Sequence, residues 1–385
     1  MRLRYKRWIS LLLAVVMMLT LGACGVQSQS DTTDKIAFDS LEKTGQMTLA
    51  YATQYQVEYY GDYSLITIGE DQRFLLVPEG KDLPKNLPED VVALQQPLDK
   101  TYLVSTSVMD LIRQLDCISY IRLSGSKAKD WYITEAKEAI KAGNMIYAGK
   151  YSAPDYECIL NEGCNLAIEN TMIYHTPEVK EKLEELGIPV LVERSSYETH
   201  PLGRLEWIKL YGLLFDALDE ANAYFDSQVE QITPLLDQAN TGKTVAFFSV
   251  NSSGAINVRK PGDYITQMIT MAGGNYALAD VVPEEENALS TMNMQMEDFY
   301  NAAQSADILI YNSTIEGELT TIDQLLDKSP LLADFQAVKA GNVWCTGKNL
   351  FQESLGLGDM MVDFHTIFTD PSVSDDALTY LHRLT

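Results

Sequence analysis

The four histidines are the first residues to test as a catalytic or metal-binding set. His175, His200, His365 and His382 are scattered, and none has a second ligand at the spacing of a zinc site. The chain also lacks a Walker loop, a GxGxxG turn, an HExxH pattern and a GxSxG turn. With 54 acidic residues, no carboxylate pair stands out as an acid–base couple. The sequence therefore predicts a protein that is not an enzyme and has no resident metal or cofactor.

Polar and aromatic side chains recur where predicted strands end. Ligands of open parallel sheets bind at the carboxyl ends of the strands, and such side chains suit hydrogen bonding and stacking around a bulky ligand. Loops are polar in any protein, so only this recurrence indicates a site. The candidate ligand-binding residues are Thr53, Tyr55, Ser105, Thr106, Ser124, Tyr151, Asn170, Tyr174, Arg194, Tyr197, Asn251, Ser252, Arg259, Asn312, Lys348 and Phe351.

Alternating strand and helix patterns must position these residues. β-branched and aromatic residues in Met47–Val57, Tyr63–Gly69 and Arg73–Val77 predict an antiparallel opening meander. The proline-containing stretch Leu83–Pro97 is expected to be a crossing loop. From Thr101, short apolar strands alternate with helices, which predicts a parallel sheet with covering helices.

A long periodic segment separates two such regions. Apolar residues recur at helical spacing from Pro201 to about Asp237, which predicts one helix about 50 Å long. After it the strand–helix alternation resumes. We therefore predict an α/β fold of two lobes with mainly parallel central sheets and flanking helices, joined by a single long helix. The expected divisions are 46–200 for the N-terminal lobe, 201–240 for the connecting helix and 241–385 for the C-terminal lobe.

The first residues have the pattern of an export signal. Four cationic residues precede an apolar run from Ile9 to Leu21, which is too short to span a membrane. Leu21-Gly22-Ala23-Cys24 then resembles a bacterial lipobox, in which the cysteine is acylated. We expect 1–23 to be a signal peptide, Cys24 to carry a lipid, and 24–45 to be a lipidated, flexible tether at the extracytoplasmic face of the cell membrane.

The net charge limits which classes of partner the chain can bind, and the cysteines indicate which covalent links it can form. The net charge is −25, or −29 without the signal segment, so nucleic acid and anionic lipid surfaces are not expected partners. Contact with the membrane is expected through the lipid alone. Four further cysteines form no CxxC pair, and sequence leaves open whether Cys158 and Cys164 form a disulfide.

Several short motifs, in their order along the chain, carry a resemblance to a known family. They are Leu103-Val-Ser-Thr-Ser107, Ala148-Gly-Lys-Tyr151, Pro154-Asp-Tyr-Glu157, Lys182-Leu-Glu-Glu-Leu-Gly-Ile-Pro-Val190, Glu198-Thr-His-Pro-Leu-Gly-Arg-Leu-Glu-Trp207, Ala272-Gly-Gly-Asn-Tyr276, Ala306-Asp-Ile-Leu-Ile310 and Gly341-Asn-Val343. From about Met47 to Phe368 the chain resembles the substrate-binding lipoproteins of iron-complex and cobalamin ABC importers. The resemblance implies two α/β lobes joined by a rigid helix, with the ligand held between them.

The resemblance also implies partners. In that family one glutamate on each lobe docks onto arginines of the permease, and Glu157 and Glu297 occupy the matching positions. Both also lie near predicted helix N-termini, where an acid is stabilised by the helix dipole in any protein. The implied partners are an ABC permease with its ATPase, and the chain is expected to be a monomer.

The expected ligand is a ferric siderophore or a related bulky chelate carrying iron, with a corrinoid carrying cobalt second and haem third. Arg194, Arg204, Arg259 and Lys348 are the cations that could pair with ligand carboxylates or phosphate. Arg259 is the better candidate, because Arg204 begins the long helix and could simply brace it. Two alternatives of another class remain: a surface enzyme acting on envelope or glycan substrates, and an adhesion or receptor lipoprotein that transports nothing.

Overall fold

The computed structural model describes residues 36–236, 239–282, 290–314 and 316–385. The predicted signal peptide, Cys24 and the tether as far as Lys35 lie outside these residues. None of the helices in the described part of the chain is long and apolar enough to cross a membrane.

The chain forms two compact units. In the smaller unit, the described residues are 36–41 and Asp82–Leu87, where the Phe38 N–H donates to the Lys85 carbonyl at 2.8 Å. The larger unit comprises Glu42–Lys81 and Pro88–Thr385, and it contains the predicted second lobe and all of the predicted first lobe except Asp82–Leu87.

A five-stranded sheet opens the larger unit. Its strands are β1 (Gly45–Gln46), β2 (Tyr55–Tyr60), β3 (Tyr63–Ile68), β4 (Gln72–Val77) and β5 (Val91–Gln95). The antiparallel pairing of β2, β3 and β4 confirms the predicted meander. The prediction of a crossing loop over Leu83–Pro97 is wrong in part, because β5 pairs in parallel with β4. The prolines that indicated a loop flank β5 and leave its backbone N–H groups able to pair.

The first lobe has a parallel five-stranded sheet in the order β12-β11-β6-β7-β8. Its strands are β6 (Thr101–Leu103), β7 (Ile121–Ser124), β8 (Ile146–Tyr147), β11 (Leu166–Glu169) and β12 (Val190–Val192), with β9 (Gly149–Lys150) and β10 (Ala153–Pro154) forming a separate ladder. The helices are α1 (Val108–Gln114), α2 (Thr134–Lys141), α3 (Tyr156–Asn161) and α4 (Pro177–Glu185). The parallel sheet with covering helices was predicted, since strands buried on both faces are continuously apolar.

The connection between the lobes is helical but interrupted. It consists of α5 (Pro201–Glu206), α6 (Ile208–Leu214) and α7 (Leu218–Leu236). The prediction of one continuous helix is therefore wrong at two positions, although α7 is a long helix of 19 residues. Asp216 has a left-handed backbone (φ 59°), which cannot continue a right-handed helix and so separates α6 from α7.

The second lobe has a seven-stranded mixed sheet. Its strands are β13 (Thr244–Val250), β14 (Ile256–Arg259), β15 (Asn275–Tyr276), β16 (Thr291–Met294), β17 (Ile308–Tyr311), β18 (Val343–Thr346) and β19 (Leu381–Arg383). The helices are α8 (Tyr264–Met271), α9 (Met296–Ala303), α10 (Ile322–Lys328), α11 (Gln336–Lys339) and α12 (Leu357–Thr369). The predicted parallel core is β13, β17 and β18, while β14, β16 and β19 pair antiparallel at the two edges.

Candidate functional site

A pocket lies where α5 meets the second lobe. Its lining residues are Arg204, Phe247, Arg259, Tyr264, Ile265, Asn312, Thr314, Leu350, Phe351, Ser354 and Leu357. The guanidinium carbons of Arg204 and Arg259 lie 4.5 and 5.0 Å from the centre of the Tyr264 ring. Cations at this distance are attracted to the ring face. The pocket thus combines two cations with aromatic and apolar walls.

Arg259 is already paired within its own lobe. Its Nε and Nη2 donate to the two carboxylate oxygens of Asp263 at 2.8 and 2.6 Å. Burial alone would lower the pKa of Arg259, but the charge of Asp263 raises it above its ordinary value. The Asp263 carboxylate also accepts the Ile265 N–H and caps α8. Arg259 is therefore fixed in position and largely neutralised before any ligand arrives.

Arg204 is the less compensated cation. It is 9% exposed, its Nε–H has no hydrogen-bond partner, and in the described part of the chain it forms no ion pair. A buried acid that interacts electrostatically with it is Glu193, whose carboxylate accepts the Ser195 N–H at 2.6 Å. Burial raises the pKa of Glu193, and the Ser195 hydrogen bonds and the charge of Arg204 oppose that rise. A buried, partly unsatisfied guanidinium at a pocket wall is suited to receive an anion.

A second cavity lies between the lobes. Residues Ser196, Tyr197, Glu198 and Thr199 line it from the first lobe, and Lys260, Pro261, Gly262, Asp263 and Ser290 line it from the second. The guanidinium of Arg194 stacks on Tyr197 at 4.8 Å. Both cavities therefore adjoin the short segment that contains Asp263.

The predicted site residues fall into distinct groups. Arg259, Asn312 and Phe351 line the pocket, and Tyr197 lines the second cavity. Eight others are half-buried or exposed and line neither of these cavities, so their ligand roles stay predictions: Thr106, Tyr151, Asn170, Tyr174, Arg194, Asn251, Ser252 and Lys348.

Three predicted ligand residues have internal structural roles instead. Tyr55 is 4% exposed and its hydroxyl donates to the Glu206 carbonyl at 2.9 Å. Ser124 is fully buried. Its hydroxyl donates a hydrogen bond to the Ser126 carbonyl and accepts one from the indole N–H of Trp131. Ser105 is 2% exposed, with its hydroxyl near Ser107 and Glu193. The structure therefore does not support direct ligand contact by Tyr55, Ser105 or Ser124.

Thr53 belongs to a segment held by two carboxylates. The Glu206 carboxylate accepts the N–H groups of Ala50, Tyr51 and Ala52 at 2.8–3.0 Å. The Glu198 carboxylate accepts the N–H groups of Thr53 and Gln54 and the Thr53 hydroxyl. Five consecutive amides are thus satisfied by two acids, Glu198 before α5 and Glu206 at its end, and the Thr53 hydroxyl is occupied.

Sequence reasoning missed most of the pocket wall. The sequence does not predict Tyr264, Thr314 and Ser354, and it ranks Arg204 below Arg259 because Arg204 could simply brace the long helix. Ligand residues are expected at strand ends in a parallel sheet, whereas Arg204 and Tyr264 lie on helices. The Gly262-Asp263 turn before α8 is the signal that could have directed attention to Tyr264.

A separate acid is buried at the end of β11. Glu169 is fully buried, and neither of its carboxylate oxygens has a hydrogen-bond partner among the residues that the structure describes. Burial raises the pKa of Glu169 to about 8. No group of three or more His, Cys, Asp or Glu residues in the described ranges could hold a metal ion. Cys158 and Cys164 are free thiols, like the other two cysteines that the structure describes.

The two acids expected to contact a permease lie in equivalent places. Glu157 is exposed in the first turn of α3, and Glu297 is exposed in the first turn of α9. Both carboxylates are therefore accessible, each in the first turn of a helix of its lobe.

The fold and the pocket define a class of protein. Two α/β lobes with a helical connection and a cavity between them are the architecture of an extracytoplasmic solute-binding protein. The family model for periplasmic binding proteins matches residues 123–350, and the chain belongs to this family. The family consists of substrate-binding transport proteins and not enzymes, so the predicted resemblance is confirmed and the surface enzyme is excluded.

Individual relatives are more distant. An uncharacterized lipoprotein of Methanocaldococcus jannaschii is 23% identical over 330 residues, which cover 80% of this chain and 76% of the relative. A haem-binding protein of Pseudomonas aeruginosa has a TM-score of 0.57 at 16% identity, covering 74% of this chain and 98% of that one. The petrobactin-binding protein of Bacillus subtilis has a TM-score of 0.55 at 13% identity, covering 71% and 92%. At these identities the solved structures establish the fold and not the ligand.

Proposed function

We propose that this chain is the extracytoplasmic substrate-binding component of an ABC importer, and that it captures a ferric siderophore or similar bulky iron chelate between its lobes. The observation that carries the ligand class is the pocket in which the guanidinium groups of Arg204 and Arg259 both lie over the ring of Tyr264. Ferric chelates built from carboxylates or catecholates are anionic, bulky and partly aromatic. Guanidinium groups pair with such oxygens bidentately, while aromatic walls contact the organic framework.

Arg204 is the residue that we expect to bind the anionic groups. Arg259 already shares its charge with Asp263, so an added anion gains more from the guanidinium of Arg204. Haem is the less favoured ligand, because the described residues that line the pocket include Tyr264 but no His, Met or Cys as an iron ligand. A corrinoid remains the alternative for the same fold.

The two exposed acids are the basis of a proposal for how the ligand is delivered to a permease. We infer that Glu157 and Glu297 dock onto a permease, one from each lobe. We also infer that Cys24 is acylated and holds the chain at the extracytoplasmic face of the membrane. The relative from Methanocaldococcus jannaschii is itself named a lipoprotein, which supports this anchoring.

A thermal-shift screen tests the ligand class. The probes are a ferric catecholate, a ferric hydroxamate, ferric citrate, cyanocobalamin and haemin. A ligand present at about a hundredfold its Kd stabilises the folded state by about 2.7 kcal/mol, which is a readily measured shift. We expect stabilisation by an anionic ferric chelate. A shift with cyanocobalamin or haemin alone would replace the proposed ligand class, and no shift with any probe would overturn it.

The same thermal-shift assay on a variant of Arg204 tests whether the chelate binds in the pocket that Arg204 lines. Arg204→Met keeps the aliphatic stem against Tyr264 and removes the charge, so we expect the affinity for the stabilising chelate to fall about tenfold or more. Arg122→Met is the matched control, because Arg122 pairs with Glu162 on the first lobe and lies outside the pocket. Equal affinities of the two variants would contradict the role of Arg204.

A further inference from the structure

The loop that follows β18 contacts both the ligand pocket and the first lobe. Phe351 and Ser354 line the pocket. Gln352 lies between them and is 1% exposed. Its carboxamide oxygen accepts the Tyr132 N–H at 2.7 Å, and its NH₂ group donates to the Asp130 carbonyl at 2.8 Å. Gln352 therefore binds the first lobe through both halves of its amide.

Two further contacts cross between the lobes beside Gln352. The Leu355 N–H donates to Oδ2 of Asp110 at 2.9 Å, and the Ser354 hydroxyl donates to the Ser107 carbonyl. Asp110 is buried, and its other oxygen accepts two hydrogen bonds from Arg113. The acceptor for Leu355 is consequently rigid.

An aromatic contact completes the same boundary. The rings of Tyr132 and Phe351 meet edge to face with their centres 6.0 Å apart. Because Gln352 bonds the backbone of Tyr132 and is next to Phe351 in the chain, it fixes the spacing of the backbone segments that carry both rings. Separation of the lobes at this boundary requires the amide to release both of its partners.

We propose that Gln352 is an interlobe latch, a positioning residue that holds the loop 350–357 against residues 130–132 and thereby sets how readily the cleft opens. A buried amide with both halves bonded is costly to break, since each group released must be resolvated or left unsatisfied. The latch does not depend on which ligand the cleft receives.

The chain contains a matched control. Gln72 is 7% exposed and makes the same pair of contacts, accepting the Val192 N–H at 2.7 Å and donating to the Val192 carbonyl at 3.0 Å. Both of its partners lie on the first-lobe side, so the Gln72 contacts do not cross to the second lobe. Gln72→Met and Gln352→Met remove equivalent hydrogen bonds and keep a side chain of similar size.

Hydrogen exchange of the full chain, resolved to single amides by mass spectrometry, tests the latch. The reporter is the Leu355 N–H, whose own partner Asp110 is intact in every variant. We expect Gln352→Met to speed exchange at Leu355 about tenfold or more, with the Leu309 amide in the centre of the second sheet unchanged. Gln72→Met should leave Leu355 unchanged.

A second variant at the same position tests the latch if Gln352→Met does not fold. Gln352→Glu keeps the acceptor for Tyr132 but places a carboxylate oxygen against the Asp130 carbonyl, so it should speed Leu355 exchange in the same direction. If exchange at Leu355 is unchanged in both Gln352 variants, or rises equally in Gln72→Met, Gln352 is a local contact and the proposal is wrong.

Discussion

Glu169 shows what burial without a partner does to a single carboxyl group. Its pKa near 8 means that the folded chain keeps a proton that the unfolded chain releases above its ordinary pKa of 4.5. Between these values the folded state binds more protons than the unfolded state, so the free energy of unfolding falls as pH rises. The effect is at most about 1.4 kcal/mol per pH unit.

Replacement of Glu169 removes this dependence. We expect Glu169→Gln to flatten the fall in the free energy of unfolding between about pH 5 and 8 and to be more stable than the unaltered chain at the upper end. Urea unfolding across this range measures both effects. The exposed Glu157→Gln is the control, and an unchanged slope in Glu169→Gln would show that the carboxyl is ionised in the folded chain.

At the scale of elements, α6 and α7 of the connection pack closely against each other. Gly212 on α6 faces the turn that leads into α7, where an added Cβ would lie 2.6 Å from Cβ of Ala221 and 2.8 Å from the Ala217 carbonyl oxygen. The two helices therefore approach as closely as a residue without a side chain allows.

Gly212→Ala should destabilise the chain. Backbone atoms limit the relief of this overlap, so we expect a loss of about 1–3 kcal/mol, and a Tm lower by a few degrees. Calorimetry or circular dichroism measures the change. Gly45→Ala is the control, because its Cβ would come no closer than 3.7 Å to Tyr59. Equal melting of the two variants would mean that α6 and α7 readily move apart.

The same segment shows what the sequence can and cannot predict at this scale. Spacing of apolar residues correctly predicts that Leu205, Tyr211 and Phe225 face the core, since periodicity reports burial. It gives no sign of the break at Asp216, which depends on one backbone angle. It likewise cannot predict that Glu198 and Glu206 bind residues 50–54, since those contacts join parts of the chain about 150 residues apart.

For the whole molecule, the order of motifs predicted two lobes and the family, and both are shown. The expectation that ligands bind at strand ends identified Arg259, Asn312 and Phe351, and all three line one pocket. It could not rank Arg204 above Arg259, because the ion pair of Arg259 with Asp263 exists only in three dimensions. The ligand itself depends on the shape of that pocket and stays a prediction.

Docking is a property of both lobes together. We expect the double variant Glu157→Lys with Glu297→Lys to bind the chelate normally and to fail in uptake, because reversed charges repel arginines on a permease. Cellular uptake and purified binding are measured side by side. Glu181→Lys with Asp376→Lys, at two other exposed acids, changes the net charge equally. Uptake at the normal rate by the first double variant would refute the docking roles.

The carboxylate clamp on residues 50–54 has a consequence for how the chain tolerates sequence change. Glu198 and Glu206 recognise five main-chain N–H groups, of which only Thr53 adds a side-chain contact. The identities of Ala50 and Gln54 are therefore largely free to drift during evolution, with proline excluded because it lacks the donor. Tyr51 and Ala52 also pack against the core, and the Tyr51 ring stacks on His200 with the ring centres 4.7 Å apart. The identities of Glu198 and Glu206 are constrained instead. Selection for the position of residues 50–54 therefore acts on codons that lie far away in the gene.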